Sequence, residues 1–255
     1  MKVIILAGGL GTRLAEETEV KPKPLVEIGD HPVLWHIMKI YAHFGYKEFI
    51  VALGYKGNLI KRYFLDYQTL QPDITLDLAK GETHIGDTET EDWKLHLVDT
   101  GKDSMTGGRV KRLADHINGE TFMLTYGDGV ADVDIGELVK FHKTHGKLAT
   151  VTAVHPPARF GEMLIDADMT AAFSEKPQTK EGWINGGFMV LEPEVLNYLD
   201  GDSSVLEVDL LEKLALEKQL VAFRHNGFWQ CMDTLRDKRQ LEAAWHSDAP
   251  PWKVW

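Results

Sequence analysis

The residues best suited to chemistry are cations in and after a glycine-rich turn that follows the first apolar run. Residues 3–7 form the apolar run, and residues 8–13 are Gly-Gly-Leu-Gly-Thr-Arg. Glycines let backbone N–H groups converge on a ligand oxygen, and the Arg13 guanidinium is a forked donor suited to phosphate. Further on, Lys21-Pro22-Lys23-Pro24 holds two cations on a stiff backbone. Together they predict a nucleoside-triphosphate site at the carboxyl end of a strand, where open α/β sheets bind ligands.

The glycine-rich turn matches two commoner glycine motifs poorly. A P-loop requires G-x-x-x-x-G-K-[ST], and no Lys-Ser or Lys-Thr pair follows these glycines at that spacing. A dinucleotide-binding fingerprint requires a third glycine where this chain has Leu14. Glu27 and Asp30 lie roughly where a ribose-binding acid would stand, so the dinucleotide alternative is weakened but stays open. A tight turn that binds no ligand also stays open.

Two acidic residues follow strand-like segments later in the chain. Asp128 lies between two glycines after the apolar run 121–126, and Asp233 precedes a helical pattern. Two carboxylates from separate strand ends are what a Mg²⁺ ion that bridges triphosphate oxygens requires. Each has a simpler alternative, because Asp128 can cap its own turn and Asp233 can be the N-cap of the helix after Thr234.

Apolar residues repeat with two periods, and segments of the two kinds alternate along the chain. Helical periodicity predicts helices over 31–44, 58–70, 109–117, 135–145, 206–218 and 235–246. Short apolar runs predict strands over 3–7, 48–53, 73–78, 121–126, 148–154, 162–166, 170–174, 186–191 and 220–224. Strict alternation in 73–78 predicts one face in water. The alternation of strands and helices predicts an α/β fold: a Rossmann-like, doubly wound, mostly parallel mixed sheet with helices on both faces and a small β part.

No repeat or low-complexity linker divides the sequence, so we expect one domain over 1–255. Residues 1–130 are then the nucleotide-binding half, and residues 131–240 shape the pocket of the second ligand. Residues 80–93 are polar, acidic and aperiodic, which favours a solvated surface loop over a lid or an arm that bridges subunits. The tail 241–255 carries three of the seven tryptophans, and it is predicted to dock on its own domain or on a neighbouring subunit.

The composition disfavours several functional classes. A net charge of −11 argues against non-specific binding to nucleic acids or anionic membranes. A single cysteine, Cys231, excludes an intrachain disulfide and a cysteine zinc cluster. The sequence has no signal-peptide pattern, and its apolar runs are shorter than the roughly 20 residues of a membrane span. We therefore expect a cytoplasmic protein with neither nucleic acid nor membrane as a partner. The acidic loop and the tryptophan-rich tail favour a homo-oligomer.

Taken together, the motifs resemble those of the sugar-1-phosphate nucleotidyltransferases. The resemblance rests on Leu6-Ala-Gly-Gly-Leu-Gly-Thr-Arg13, Lys23 in Lys-Pro-Lys-Pro-Leu, Gly127-Asp128-Gly129, Phe173-Ser-Glu-Lys176-Pro, Asn185-Gly-Gly, and Phe228-Trp-Gln followed by Met-Asp233-Thr. It spans essentially the whole chain, and motifs this long in this order are specific as a set. The Lys-Pro-Lys-Pro run, the segment 104–109 and the segment 249–253 are similar to those of members that use CTP and glucose 1-phosphate.

The resemblance implies a reaction and a cofactor. Members join a nucleoside triphosphate to a sugar 1-phosphate and release pyrophosphate, with Mg²⁺ as the cofactor. The sugar phosphate attacks the α-phosphorus in line. Because the second pKa of a phosphate monoester is about 6, the attacking group is ionised at neutral pH and needs no general base. The implied reaction transfers CMP from CTP to α-D-glucose 1-phosphate and gives CDP-glucose.

The resemblance also implies a role for each matching residue. Three residues are catalytic and also bind the nucleotide: Arg13, Lys23 and Asp128. The other nucleotide-binding residues are Leu6, Ala7, Gly8, Gly9, Leu10, Gly11, Thr12, Ser104, Thr106 and Arg109. The metal ligands are Asp128 and Asp233, and the small β part binds the sugar phosphate through Glu175, Lys176, Asn185 and Gly186. In these roles Arg13 neutralises the departing pyrophosphate, and Lys23 stabilises the pentacoordinate α-phosphorus.

Residues 104–109 give the choice of base a physical basis. Uracil and thymine present an N3–H donor, whereas cytosine presents an N3 acceptor. In this segment Ser104, Thr106 and Arg109 can donate to N3 or O2 of cytosine. Relatives that use uridine or thymidine nucleotides typically carry a Gln-rich stretch in place of residues 104–109. Three alternatives stay open: uridylyl or thymidylyl transfer to a hexose 1-phosphate, a non-catalytic subunit that senses nucleotides or sugar phosphates, and a solvated Arg109 on the first turn of helix 109–117.

Overall fold

An eight-stranded sheet is the centre of the fold in the computed structural model, which describes residues 1–9, 11–70, 73–86, 90–157, 162–165, 171–174 and 182–255. We number its strands in chain order: β1 Val3–Ala7, β2 Glu48–Leu53, β3 Lys94–Asp99, β4 Phe122–Tyr126, β5 Ala149–Val154, β6 Ile184–Asn185, β7 Met189–Leu191 and β8 Leu220–His225. The spatial order is β3–β2–β1–β4–β7–β5–β6, and β8 also pairs with β5.

Most neighbouring strands of this sheet are parallel. β1 pairs in parallel with β2 and β4, with Val3 opposite Phe49 on one side and Met123 on the other. β2 is also parallel to β3, and β5 is parallel to β8. β6 and β7 run antiparallel to β5, and β7 runs antiparallel to β4. The prediction of a mostly parallel mixed sheet is therefore confirmed, and the carboxyl ends of β1 to β4 share one edge.

Helices cover both faces of the sheet. The longer ones are α1 Val33–His43, α2 Gly57–Leu70, α3 Thr106–Arg112, α4 Ile135–His145 and α5 Leu235–Trp245. A π-helical segment, Leu206–Glu212, leads into the short helix Lys213–Leu216. Shorter turns of helix occupy Thr12–Leu14, Ala15–Thr18, Lys23–Leu25, Ala114–Ile117 and Pro193–Tyr198.

Successive residues of β1 show why both faces are covered. Val3 and Ile5 join a core that includes α1, whereas Ile4 and Leu6 join a second core that includes α3 and the π-helical segment. Because side chains alternate across a strand, a continuously apolar strand must be buried on both faces. The doubly wound arrangement follows from that pattern.

Small two-stranded sheets surround the main one. They pair Glu27–Ile28 with His31–Pro32, Ile74–Asp77 with Glu82–Ile85, Gly129–Ala131 with Trp229–Cys231, and Glu162–Ile165 with Ala171–Ser174. In the second pair, the alternating segment projects into water on both faces, and Leu76 is 60% exposed. The prediction of a single wet face for 73–78 was therefore wrong. For 80–93, the exposed position predicted for a surface loop is confirmed at Glu82–Ile85, but this part forms a strand instead of a loop.

Further elements differ from the sequence-based prediction: the strand predicted over 186–191 is two strands, Ile184–Asn185 and Met189–Leu191, and the helix predicted over 206–218 is a π-helical segment followed by a short α-helix. β3 was not predicted, although Leu95 and Leu97 alternate with polar residues along it. Helix α3 begins at Thr106 instead of residue 109 and ends at Arg112, before a separate turn at Ala114–Ile117. The earlier start matters, because it moves Arg109 from the first turn into the body of the helix.

The tryptophan-rich tail packs on the chain itself, in the core that includes α1. Trp252 is fully buried and stacks between Phe228 and Trp245. Trp255 meets Trp35 of α1 edge to face. Among the described residues, no helix combines the length and the apolar character needed to cross a bilayer.

Candidate active site

A cavity of about 740 Å³ opens where the carboxyl ends of β1 and β4 lie side by side. The glycine-rich turn follows β1, and Asp128 follows β4 after one residue. The residues that line the cavity are Leu6, Ala7, Gly8, Gly9, Gly11, Thr12, Lys23, Pro24, Lys102, Asp103, Ser104, Met105, Thr106, Arg109, Tyr126, Gly127, Asp128, Trp229, Cys231 and Asp233. One space therefore brings together most of the residues that the sequence assigned to the nucleotide and to the metal.

Lys23 and the two carboxylates meet directly in this cavity. The Nζ atom of Lys23 lies 2.6 Å from Asp128 Oδ2 and 2.6 Å from Asp233 Oδ1. The three side chains are only partly accessible, with 13%, 30% and 18% of their surfaces exposed, respectively. An ammonium held this closely by two carboxylates shows that both can serve one cation.

Local backbone structure explains how residues so far apart in sequence converge. Lys23 begins a tight turn whose following residues, Pro24 and Leu25, are buried and anchor it. The two acidic residues flank paired strands, because Gly129–Ala131 pairs antiparallel with Trp229–Cys231. A hydrogen bond of 2.8 Å from Met232 N to Asp128 O extends that pairing.

The two carboxylates stabilise the positive charge of Lys23. Burial opposes the positive charge of Lys23, but the Asp128 and Asp233 carboxylates outweigh it, so the pKa of the ammonium rises above its ordinary value. Lys23 is therefore fully charged at neutral pH. The same surroundings keep the neighbouring Cys231 uncharged, because burial and the nearby carboxylates raise the pKa of its thiol to about 12. Cys231 is thus a neutral thiol in the cavity wall, which disfavours a role as a nucleophile.

The simpler alternative for Asp233 was wrong. The N-cap of α5 is Thr234, whose side chain accepts a hydrogen bond from Asp237 N. The Asp237 carboxylate in turn accepts from Thr234 N, which completes a capping box. Because the helix is capped by its own residues, the Asp233 carboxylate is available to Lys23.

Arg109 is buried beneath the glycine-rich turn, so the alternative of a solvated position was wrong. Its side chain is 5% exposed. Nη1 donates to Thr100 Oγ1 and to the carbonyls of Leu53 and Gly101, and Nη2 donates to those of Gly8 and Lys102. Burial lowers the pKa of the guanidinium from its ordinary value, and nearby carboxylates partly offset the shift. Arg109 thus ties together the loops that follow β1, β2 and β3.

Two glycines make room for this guanidinium. A Cβ on Gly8 would lie 2.3 Å from its central carbon, and a Cβ on Gly54 would lie 2.4 Å from Nη1. Any other residue at either position would collide with it. Packing of Arg109 is therefore one reason for a glycine at position 8. Close approach of a ligand to the backbone would be a second, independent reason.

The hydroxyls of Thr106 and Tyr126 are joined behind the cavity wall by Glu207. Thr106 Oγ1 donates to Glu207 Oε2 at 3.0 Å, and Tyr126 Oη donates to Glu207 Oε1 at 2.6 Å. Asn185 Nδ2 donates to Tyr126 Oη at 3.1 Å. Ser104 is buried in the cavity lining. Sequence reasoning had singled out neither Tyr126 nor Glu207, although Tyr126 directly precedes the Gly-Asp-Gly motif.

The remaining predicted site residues are placed as follows. Asn185 lines a second cavity of about 340 Å³ next to Glu207, and Gly186 is buried beside it. Gly186 N donates to Thr152 O, and Gly186 O accepts from the Trp229 indole. The backbone of Arg13 lies in the turn Thr12–Leu14, but its side chain is outside the described part of the structure. Leu10, Glu175 and Lys176 also lie outside the described residues.

Comparisons with known proteins point in one direction. The family model described as "Nucleotidyl transferase" matches residues 2–237. The chain is 52% identical over 256 residues to the glucose-1-phosphate cytidylyltransferase of Salmonella typhi and 45% identical over 257 residues to a protein of Bacillus subtilis (strain 168) named as the probable enzyme of the same kind. Each alignment covers 100% of both chains.

Solved structures share the fold at much lower identity. HddC from Yersinia pseudotuberculosis superimposes with a TM-score of 0.69 at 23% identity, covering 96% of this chain and 99% of that one. A UDP-glucose pyrophosphorylase in complex with UDP-glucose gives a TM-score of 0.69 at 14% identity, covering 96% of this chain and 98% of that one. These likenesses support the α/β fold.

Proposed function

The chain belongs to the nucleotidyl transferase family, and from this membership we propose that it transfers CMP from CTP to α-D-glucose 1-phosphate, giving CDP-glucose and pyrophosphate. The full-length likeness to the Salmonella typhi enzyme supports the choice of substrates. One structural observation supports the chemistry. Lys23 and two carboxylates converge in the cavity that the glycine-rich turn borders.

The reaction requires placement and charge neutralisation more than proton transfer. An oxygen of the sugar phosphate forms a bond to the α-phosphorus of CTP, and the bond from that phosphorus to the oxygen that bridges to the β-phosphorus breaks. Pyrophosphate leaves with the electron pair. Because the attacking phosphate is already ionised at neutral pH, the protein has to hold two anionic reactants together and stabilise the additional charge of the transition state.

Lys23 is proposed to supply the main cation at the α-phosphate. Its ammonium is charged, partly buried and already inside the cavity. Arg13 is proposed to neutralise the departing pyrophosphate, since the turn that carries it follows the glycines. The backbone amides of the glycine-rich turn are proposed to receive the nucleotide phosphates.

The donor set in the cavity suits Mg²⁺. Asp128 and Asp233 each place a carboxylate oxygen against one ammonium, so the pair can share a single cation, and carboxylate oxygens are the ligands that Mg²⁺ prefers. We propose that these two residues would hold the ion when the triphosphate is bound. When bound, Mg²⁺ supplies neutralisation of phosphate charge. Lys23 would then be free to contact the substrate.

Recognition of cytosine is assigned to the loop that carries Ser104. The Thr106 hydroxyl already donates its one hydrogen to Glu207, and the terminal nitrogens of Arg109 already donate to carbonyls and to Thr100. The Ser104 hydroxyl also hydrogen-bonds a carboxylate, that of Asp202. We propose that the Nε atom of Arg109 donates to N3 or O2 of the base, and that Ser104 does so by exchanging Asp202 for the base. Asn185 is proposed to lie at the sugar end, with Glu175, Lys176 and Gly186.

A panel assay tests this function. Purified protein is incubated with each of CTP, UTP, dTTP and GTP against several hexose 1-phosphates, with and without Mg²⁺, and pyrophosphate release and nucleotide-sugar formation are measured. We expect turnover with CTP and glucose 1-phosphate that depends on the metal. Turnover only with UTP or dTTP would overturn the choice of base, and inactivity across the panel would favour a sensing subunit. The homo-oligomer also stays a prediction, and light scattering that finds a monomer would contradict it.

A further inference from the structure

Glu207 lies outside the large cavity and contacts two of the residues that line it. It lies in the first turn of the π-helical segment Leu206–Glu212, and it borders the smaller cavity. Its two carboxylate oxygens are used separately, one by Tyr126 and one by Thr106. Those two residues stand on different elements, at the end of β4 and at the start of α3, and both line the large cavity.

Hydrogen-bond chemistry fixes the direction of every bond in this network. An ionised carboxylate only accepts, so each hydroxyl must spend its single hydrogen on Glu207. The Thr106 oxygen then accepts from Leu206 N at 2.9 Å, and the Tyr126 oxygen accepts from Asn185 Nδ2 at 3.1 Å. Burial and the nearby Glu207 carboxylate raise the pKa of the Tyr126 phenol, so it keeps the hydrogen that it donates. Asn185 Oδ1 also accepts from Gly187 N at 2.9 Å, so the bond to Tyr126 is one of two contacts that orient this amide, and it is the one through which Glu207 acts.

We propose that Glu207 is a positioning residue that sets the sugar end and the base end of the active site at the same time. Through Tyr126 it orients Asn185, which the proposed function assigns to the sugar. Through Thr106 it fixes the start of α3, next to the loop 102–105 that lines the base end. The inference rests on the proposed function for the identity of the two substrates. It adds that one carboxylate outside the large cavity controls the binding of both.

A π-helix is a suitable carrier for such a residue. π-Helical turns are rare and occur frequently at functional sites, because one extra residue per turn redirects a side chain. The buried neighbours Leu206, Leu210 and Leu211 anchor the segment in the core under α3. The carboxylate is thus held by packing, in addition to its two hydrogen bonds.

Kinetic constants of Glu207→Ala provide the main test. A hydrogen bond to a charged group contributes enough that its loss lowers kcat/KM by about 10- to 100-fold. We expect Glu207→Ala to raise the KM for glucose 1-phosphate and the KM for CTP together. Tyr126→Phe is expected to raise only the first KM, and Thr106→Val only the second. If Glu207 acts through these residues, the double variant Glu207→Ala/Tyr126→Phe will have nearly the same KM for glucose 1-phosphate as Tyr126→Phe alone. Likewise, Glu207→Ala/Thr106→Val will have nearly the same KM for CTP as Thr106→Val alone.

Glu207→Gln and Glu212→Ala complete the test. The amide of Glu207→Gln has one acceptor oxygen, so it can serve one hydroxyl and should give a smaller defect than Glu207→Ala; it also keeps the test valid if Glu207→Ala fails to fold. Glu212 lies on the same π-helical segment and borders the smaller cavity, so Glu212→Ala is the matched control and should leave both KM values within about twofold.

Two results would overturn the proposal. One is a Glu207→Ala or Glu207→Gln protein whose KM values match those of Glu212→Ala while only its melting temperature falls. The other is full additivity of Glu207→Ala with both Tyr126→Phe and Thr106→Val. Either result in an active wild-type enzyme leaves the proposed function intact. Inactivity of the wild type with CTP and glucose 1-phosphate contradicts the proposed function itself, and tryptophan fluorescence titrations with each ligand alone then decide the role of Glu207.

Discussion

Replacement of Lys23 by methionine separates binding from catalysis in this cavity. Methionine keeps an unbranched side chain of similar length and removes the charge. In the free protein the ammonium lies 2.6 Å from an oxygen of each of two carboxylates. At an effective dielectric constant of about 20, each such contact is worth about 6 kcal/mol of Coulomb energy before desolvation is subtracted. This attraction has to be given up, or shared, when Lys23 turns to a phosphate.

The exchange of partners predicts a small effect on affinity. If Lys23 contacts a phosphate as proposed, that contact replaces contacts of similar strength with Asp128 and Asp233, and we expect the net contribution of Lys23 to the binding of CTP to be close to zero. We expect the Kd of CTP, in the presence of Mg²⁺, to change by less than about 10-fold in Lys23→Met. In the transition state the charge around the α-phosphorus is larger, and removal of one such electrostatic contact typically lowers kcat by about 10²- to 10³-fold.

The assay pairs calorimetric titration of CTP with measurement of kcat by pyrophosphate release. Lys21→Met is the matched control, because Lys21 belongs to the same Lys-Pro-Lys-Pro run but pairs with Glu27 at 3.1 Å. A second measurement needs no catalysis. Since Lys23→Met leaves two carboxylates without their ammonium, Mn²⁺ should bind the nucleotide-free variant at least about 10-fold more tightly than the wild type. Equal losses in kcat and in affinity for CTP, or the same behaviour in Lys21→Met, would refute this reasoning.

Three further predictions follow from buried groups. Arg109→Lys removes a planar guanidinium that donates to five acceptors. Urea denaturation should therefore show that the free energy of unfolding falls by about 2–4 kcal/mol. A fall of less than about 0.5 kcal/mol would contradict the proposal that Arg109 holds the three loops together. Burial lowers the pKa of His36 to about 4. Between about pH 6.5 and pH 4, His36 is therefore protonated in the unfolded chain but neutral in the folded state. Stability should therefore fall by up to about 3 kcal/mol over that range, and the same pH series on His36→Gln should lack this component. Because the pKa of Cys231 is raised to about 12, iodoacetamide should label it at pH 8 at least about 100-fold more slowly than glutathione; comparable rates, measured by mass spectrometry, would show an exposed thiolate.

The sequence was sufficient for features that depend on local pattern and on strand direction. Continuous apolar runs such as 3–7 predicted strands buried on both faces, and parallel pairing then put the ends of β1 and β4 at one edge. The meeting of Lys23 with Asp128 and Asp233 follows from that topology together with the pairing of Gly129–Ala131 with Trp229–Cys231. Their spacing in sequence, over 105 and 210 residues, carries no such information by itself.

Features that depend on backbone carbonyls or on distant single residues could not be predicted. The acceptors of Arg109 are mostly main-chain oxygens at strand ends, which have no side-chain signature. Propensity also placed the start of its helix three residues too late, because Thr106 and the two glycines after it are poor helix formers whose cost is offset by packing. Glu207 reaches Tyr126 across 81 residues, from a π-helix that ordinary helical periodicity does not distinguish.

Lys23 and Arg109, two of the cations that line the cavity, differ in which groups would lose a partner if the cation moved. If the Arg109 guanidinium turned to a ligand, several buried carbonyl oxygens would lose their donor, and nothing that enters with a nucleotide could replace it. If the Lys23 ammonium moved, two carboxylates would lose their cation, and the Mg²⁺ ion that we propose they hold would replace it. Only the second exchange leaves every buried acceptor and every carboxylate with a partner. We therefore expect Lys23 to be the cation that follows the reacting phosphate, and we expect Arg109 to stay in place and hold the loops around it.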